Sequence, residues 1–200
     1  MCLTKIKFRM KKNVFFSLFI LLSVNLLSAQ IVVLNPVKVE QEDIKQFLNV
    51  EVNYSKKIAQ NAVNENKLVG WALLENTNIG PDDYNFMWVN IYPDIESATN
   101  ENNWWNDSEK VLGVKPDILF SDSSKYKYGK IFTYKMQMAI PNSGPAAYVI
   151  FNFATPDNVD AVKASSKKYV MPHFKKKMDE NGMVGWGMAT KITPQGEEHS

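Results

Sequence analysis

His173 is the residue whose type and position most directly favour catalysis or iron binding. It is the only histidine inside a predicted secondary-structure element, four residues after Tyr169 on a helix and next to Pro172. A buried imidazole in such a place ligates haem iron or acts as a general base. A core histidine with satisfied nitrogens would give the same pattern. Haem and base chemistry are therefore hypotheses, and no other cofactor is indicated.

Aromatic residues give the second chemical signal, with five Trp and eight Tyr in the chain. Two Tyr–Trp pairs recur with the same internal spacing, and three further residues share one face of the alternating segment 84–92. Small-molecule pockets are mainly apolar with a few polar groups, although core packing between helix and strand explains aromatics equally well. The predicted ligand-binding residues are Tyr54, Trp71, Trp88, Asn90, Tyr92, Tyr169, His173 and Trp186.

The sequence lacks the residue patterns that metal sites, thiol catalysis, phosphate loops and serine nucleophiles need. The acidic pairs Asp82-Asp83 and Glu197-Glu198 have no histidine at ligand spacing, so no metal site is predicted. The only cysteine is Cys2, which removes thiolate catalysis and disulfides from the rest of the chain. No glycine-rich phosphate loop leads into a predicted helix, and no serine nucleophile elbow occurs.

The N-terminus has the order of a secretory signal peptide. Five basic residues precede the apolar segment 14–27, and the small residues Ser28-Ala29 follow it. Cleavage is predicted near Ala29, with Met10 as an alternative start, which makes the protein periplasmic or secreted, in a bacterium. A membrane anchor is the alternative, but Ser23 and Asn25 interrupt the apolar segment before the roughly 20 residues a span needs. Membrane contact is thus expected only through the cleaved signal.

Charge gives no indication of nucleic-acid binding. The chain has a formal net charge of +2, but five of its 23 basic residues lie in the first 29 positions and all 21 acidic residues follow them. The remainder therefore carries about −3, and no broad positive field is expected for nucleic acid or anionic lipid.

An internal repeat is visible at an offset of 115 residues. Segments 54–71 and 169–186 align without gaps and share six identities in 18 positions, and 31–44 matches 146–159 by pattern. Convergence on a common helix-to-strand junction is the alternative to duplication. The chain is predicted to hold two related units.

Each unit begins with the same elements. Thr155-Pro156 is expected to start the second long helix as N-cap and first helical residue, and Asn181-Gly182 is expected to end it. Residues 113–128 are predicted to be a loop. The predicted strands are 31–39, 68–74, 84–92, 130–140, 146–154 and 183–192, and the predicted helices are 42–66, 95–111 and 155–180.

The element order predicts an α+β fold, with a ferredoxin-like β-α-β-β-α-β unit followed by a second, truncated copy, β-α-β. The predicted divisions are a signal peptide at 1–29, the first unit at 30–142 and a partial second unit at 143–200. The second copy lacks its later elements. The chain is therefore expected to be a fragment, or else a natural half-repeat that pairs with another subunit.

This arrangement resembles the dimeric α+β barrel superfamily in its tandem form, across 31–192. The resemblance implies two units packed sheet to sheet, each with a small pocket between sheet and helices. The superfamily includes antibiotic-biosynthesis-type monooxygenases, haem-degrading enzymes and dyp-type peroxidases. No motif of any branch occurs here, so no catalytic residue is carried over, and fold does not imply function.

Three function hypotheses follow. The first is an exported non-catalytic module that binds a small apolar or aromatic ligand or a partner protein. The second is a monooxygenase-like or haem-handling enzyme that uses His173. The third is an envelope-associated structural protein without a ligand. Association through a homodimer or through pairing of the repeats within one chain fits the duplicated pattern.

Overall fold

The structure, a computed structural model, describes residues 30–77, 80, 83–100, 104–120, 125–141, 144 and 146–194. The predicted signal peptide lies outside these residues, as do Asp82 and Glu197-Glu198. The described chain combines helices with one six-stranded antiparallel sheet, which confirms the α+β class. None of its described helices has the length and hydropathy of a membrane span.

The sheet is built from both predicted units. Its strands are β1 Ile31–Lys38, β2 Gly70–Glu75, β3 Phe86–Tyr92, β4 Lys127–Tyr128, β5 Phe132–Ile140 and β6 Trp186–Thr193. The order is β2-β3-β1-β5-β6, with the short β4 paired to the end of β1. All pairings are antiparallel. Strand β1 is central, and this order is compatible with a split βαβ unit in which β3 lies between β1 and β2.

Two long helices and three short ones complete the described chain. Helix α1 consists of Ile44–Val50, a π-helical turn Glu51–Ser55 and Lys56–Asn64. Helices α2 Ile95–Thr99, α3 Ser108–Leu112 and α4 Pro116–Leu119 are short, and a 3-10 turn, Trp104–Asp107, leads into α3. Helix α5 consists of Val159–Ser165, a π-helical turn Ser166–Val170 and Met171–Lys177.

Helix α1 covers one face of the sheet, here called the helix face. Its buried residues Phe47, Ile58 and Ala62 pack against residues that alternate along the strands, among them Val37 and Phe86. Alternation places the intervening residues on the opposite face, here called the open face, where Leu34, Val89 and Tyr134 are buried without any helix residue in their cluster. The core therefore lies mainly between α1 and the helix face.

Several predicted boundaries were wrong. Helix 95–111 is divided into α2, a 3-10 turn and α3, because Asn100 adopts an extended conformation that ends α2. The predicted loop 113–128 contains α4 and β4. The N-cap of α5 is Asn158, whose side chain accepts a hydrogen bond from the Ala161 amide at 2.9 Å, so Thr155 does not cap this helix. Gly182, with φ of 64°, ends a 3-10 turn, Asp179–Asn181, that follows α5, so the left-handed glycine lies where it was predicted but does not cap α5 itself.

The predicted strand 146–154 is not formed. This segment has no regular secondary structure, and Tyr148 and Ile150 are each 83% exposed. A strand forms only when it pairs with a neighbouring strand. The segment of the first unit that matches 146–154 is β1, and it pairs with β3 on one edge and with β5 on the other. No described strand pairs with 146–154.

The two long helices have matching internal boundaries. The first helical part, 44–50, falls on 159–165 at an offset of 115, and the π-helical turn 51–55 falls on 166–170. Such turns are rare, so their occurrence at equivalent positions is a structural correspondence beyond the sequence identities.

Candidate functional site

A cavity of about 430 Å³ lies between the helix face and α1, and residues from 104–128 contribute to its wall. Its volume falls within the range of small-molecule pockets, about 300–1,000 Å³. Aromatic rings form much of the wall, and a few buried polar groups lie among them. The lining residues are Asn35, Glu51, Ser55, Trp71, Trp88, Asn90, Trp104, Trp105, Pro116, Asp117, Phe120, Tyr126 and Tyr128.

Glu51 is the ionisable group buried in this wall, with only 6% of its surface exposed. It is the first residue of the π-helical turn of α1, a type of helical irregularity that is frequent at functional sites. Its Oε2 accepts a hydrogen bond from Trp88 Nε1 at 2.8 Å. Burial raises the pKa of the Glu51 carboxyl, and the hydrogen bond from Trp88 opposes that rise.

Ser55 lies one helical turn beyond Glu51 and is fully buried. It is close enough to lower the pKa of the Glu51 carboxyl, but its hydroxyl has no hydrogen bond of ordinary geometry in the described structure. Glu51 and Ser55 continue the four-residue spacing that begins at Phe47, so α1 directs all three toward the sheet.

Two asparagines place further polar atoms in the cavity wall. Asn90, 7% exposed, lies on β3, and Asn35 lies on the neighbouring strand β1. The side-chain oxygen of each is buried and has no hydrogen-bond partner among the described residues. Buried polar groups are normally paired, so each unpaired one needs an explanation.

Aromatic contacts hold the walls in place. The rings of Trp88 and Tyr128 are stacked, with centroids 6.2 Å apart. Trp105 packs edge-on against Trp104 at 5.3 Å and against Phe120 at 5.1 Å. The segment from the 3-10 turn to α4 therefore forms an aromatic wall of its own.

Three of the predicted ligand-binding residues, Trp71, Trp88 and Asn90, line this one cavity. Tyr92 does not line it but lies beside it, where its hydroxyl accepts a hydrogen bond from Trp104 Nε1 at 3.3 Å. Burial raises the pKa of the Tyr92 hydroxyl.

The other predicted residues lie elsewhere. Tyr54, on α1, has Lys57 Nζ 5.8 Å from its ring centre. Tyr169 is 62% exposed, and His173 is also exposed, with its ring edge-on to Phe174. Trp186 packs on Phe174 with ring centroids 5.8 Å apart. None of these residues lines the cavity.

Sequence reasoning missed Glu51, Ser55 and Asn35. The helical spacing Phe47, Glu51, Ser55 would have identified the first two, because it places a carboxyl on the stripe that must face the sheet. Asn35 is a polar residue on the inward face of an apolar central strand, and such a residue is a candidate for a site.

Haem does not fit this cavity through the predicted ligand, because His173 is exposed and lies outside the wall. The lining contains none of the His, Cys or Met side chains that commonly hold haem iron. Among the described residues, no group of three or more His, Cys, Asp or Glu could hold a metal ion. The site's chemistry therefore rests on aromatic rings, the buried Glu51 carboxyl, the exposed Asp117 carboxyl and neutral polar groups.

Neither a protein-family model nor a curated protein matches this chain.

Proposed function

We propose that this protein is an exported, non-catalytic module that binds a small aromatic ligand in the cavity between α1 and the helix face. The observation that carries the proposal is a cavity of about 430 Å³ in which aromatic walls surround buried polar atoms without partners. Such a composition is that of a small-molecule site, where apolar walls give affinity and a few polar groups fix orientation.

The composition of the cavity wall favours a ligand. A buried polar group that leaves water without gaining a hydrogen bond costs about 1–3 kcal/mol, and the side-chain oxygens of Asn35 and Asn90 accept no hydrogen bond from the described residues. A ligand that pairs with them offsets this cost and also removes aromatic surface from water, at about 25 cal/mol per Å² of apolar area. One small molecule can both pair with these oxygens and cover the aromatic surface.

The enzyme hypothesis has less support. Its monooxygenase-like or haem-handling form needs His173 at the ligand site, and this residue is exposed on α5. Glu51 could move a proton, but the other carboxyl of the cavity wall, Asp117, is exposed, and the wall contains no histidine, cysteine or lysine. Binding without chemistry requires only the groups that line the cavity.

We also infer that the two units arose by duplication and adopt the tandem dimeric α+β barrel arrangement. The matching helix and π-turn boundaries favour duplication, as does the continuation of the sheet from β5 of the first unit to β6 of the second. The units differ at the site, because Ser166, Val170 and Ile150 stand where the first has Glu51, Ser55 and Asn35. Ligand binding is therefore assigned to the first unit.

A pair of tryptophan variants tests the binding proposal. Trp105→Ala removes a wall of the cavity, whereas Trp186→Ala removes an aromatic contact outside it. With 2-naphthol as the probe, calorimetric titration should show binding about tenfold weaker in Trp105→Ala, since an aromatic pair contributes about 0.5–1.5 kcal/mol beyond its buried area. Trp186→Ala should bind as the unaltered protein does. Equal affinities in both variants would contradict the proposal.

A further inference from the structure

The helix-face cavity presents two buried amide oxygens that accept no hydrogen bond from the described residues. The side-chain oxygens of Asn35 and Asn90 are buried and unpaired in its wall. Glu51 also contributes carboxyl oxygens to the wall, and one of them already accepts the Trp88 indole N–H. Ser55 Oγ is also unpaired, but a hydroxyl can donate as well as accept, so the two amide oxygens are the unpaired atoms of the wall that can only accept.

The two asparagine oxygens lie on neighbouring strands. Asn35 is directly opposite Trp88 in the pairing of β1 with β3, and Asn90 is two residues further along β3. Such diagonal neighbours are about 7–8 Å apart in an antiparallel sheet. An aromatic ring that lies between them can present an edge substituent to one oxygen while its faces contact the surrounding indoles.

We propose that the cavity selects aromatic ligands whose ring carries an N–H or O–H donor, such as phenols, indoles and aromatic amines, and that Asn90 and Asn35 are the acceptors that make this selection. The inference rests on the proposed function, since it specifies the ligand class of the same cavity. Sites that hydrogen-bond a substrate group strongly reject analogues that lack it, because their buried polar atoms are then left unpaired.

The same arrangement disfavours aromatic carboxylates. An anionic group placed against the asparagine oxygens would meet their lone pairs, and the lining residues include two carboxyls, Glu51 and Asp117, but no cationic side chain to pair with it. Removing a carboxylate from water without a partner is strongly unfavourable. The ligand is therefore neutral or cationic.

Three probes with one ring system test the selection: 2-naphthol, 2-methoxynaphthalene and 2-naphthoate, titrated calorimetrically into the purified protein at pH 8. We expect 2-naphthol to bind about fivefold to tenfold more tightly than 2-methoxynaphthalene, the factor that one hydrogen bond contributes. The naphthoate should bind more weakly than either. Equal affinity for the naphthol and the methoxy compound would overturn the inference and leave the proposed function standing. Absence of binding by all three would overturn both.

Asparagine variants locate the acceptor. Asn90→Leu should bring the naphthol-to-methoxy affinity ratio close to one, whereas Asn90→Asp, which keeps acceptor oxygens, should preserve it. Asn49→Leu, on the exposed side of α1, is the matched control and should leave the ratio unchanged. A ratio that survives in Asn90→Leu, or disappears in Asn90→Asp, would contradict the assignment. If the Asn90 variants do not fold, the comparison of probes on the unaltered protein decides the question.

Discussion

The hydrogen bond between Trp88 and Glu51 allows the electrostatics of the site to be measured. Trp88→Phe removes the indole N–H, whose Nε1 lies 2.8 Å from Glu51 Oε2, and Glu51 is only 6% exposed. A hydrogen bond to a charged group contributes about 1.5–3 kcal/mol. The phenyl ring should keep much of the contact with Phe47 and Tyr128. The expected loss in free energy of unfolding at pH 8 is therefore about 2–3 kcal/mol.

A double-mutant cycle isolates this interaction. Combining Trp88→Phe with Glu51→Leu should give a coupling free energy of about 1.5–3 kcal/mol at pH 8, because the second change removes the carboxylate that the first leaves unpaired. Urea unfolding followed by circular dichroism measures each corner of the cycle. Additive effects, with a coupling below about 0.3 kcal/mol, would refute the reasoning.

The pH dependence of the cycle has a definite sign. Burial raises the pKa of Glu51 in the folded protein, so the contribution of this residue to stability is greatest at low pH and falls as pH rises through the raised pKa. The coupling with Trp88 should follow the opposite trend, because the bond to the neutral carboxyl is weaker than the bond to the carboxylate. Glu51→Gln should make the effect of Trp88→Phe on the free energy of unfolding independent of pH, and an effect that still changes with pH in that background would contradict the account.

Three further predictions concern stability. Phe47→Ala should lower the free energy of unfolding by about 3–5 kcal/mol, the usual cost for a buried Phe, and a loss below about 1 kcal/mol in urea unfolding would place Phe47 outside the core. The Lys67 hydrogen bond lowers the pKa of Asp107. The Lys67–Asp107 hydrogen bond stabilises the fold above the ordinary Asp pKa, and this stabilisation disappears on acidification. The difference in free energy of unfolding between the unaltered protein and Lys67→Gln should therefore shrink from pH 6 to pH 3. A difference in urea midpoint that stays constant over this range would argue against the prediction. Leu34 is buried, whereas Val149, at the equivalent position of the repeat, is exposed. Leu34→Lys should therefore unfold the protein, as judged by circular dichroism, and Val149→Lys should not. Equal effects of the two substitutions would refute this difference in burial.

Local pattern was sufficient to predict the longer strands of the first unit, though not the two-residue β4. A β-branched, apolar composition identified β1, and alternation identified β3 and β5, each within one to two residues. The same signal failed at 146–154, where the apolar pattern is present but no described strand lies alongside. Strand formation depends on a partner distant in sequence, and no local pattern supplies that information.

The site was predicted only in part for the same reason: a local sequence pattern does not show which distant segments pack together. Trp71, Trp88 and Asn90 were predicted because they share a strand face or a repeated spacing, and the fold brings them to one cavity. Asn35 and Glu51 come from β1 and α1, and their convergence depends on how the helix lies on the sheet. His173 was singled out for its chemistry, but its helix leaves the side chain exposed.

The indole N–H resonances test the central claim most directly. The chain has five tryptophans, of which Trp71, Trp88, Trp104 and Trp105 line the cavity and Trp186 does not. In a ¹⁵N–¹H correlation spectrum recorded during titration with 2-naphthol, the four cavity resonances should move and that of Trp186 should stay in place. Movement of Trp186 alone, or of none of the five, would contradict ligand binding at this site.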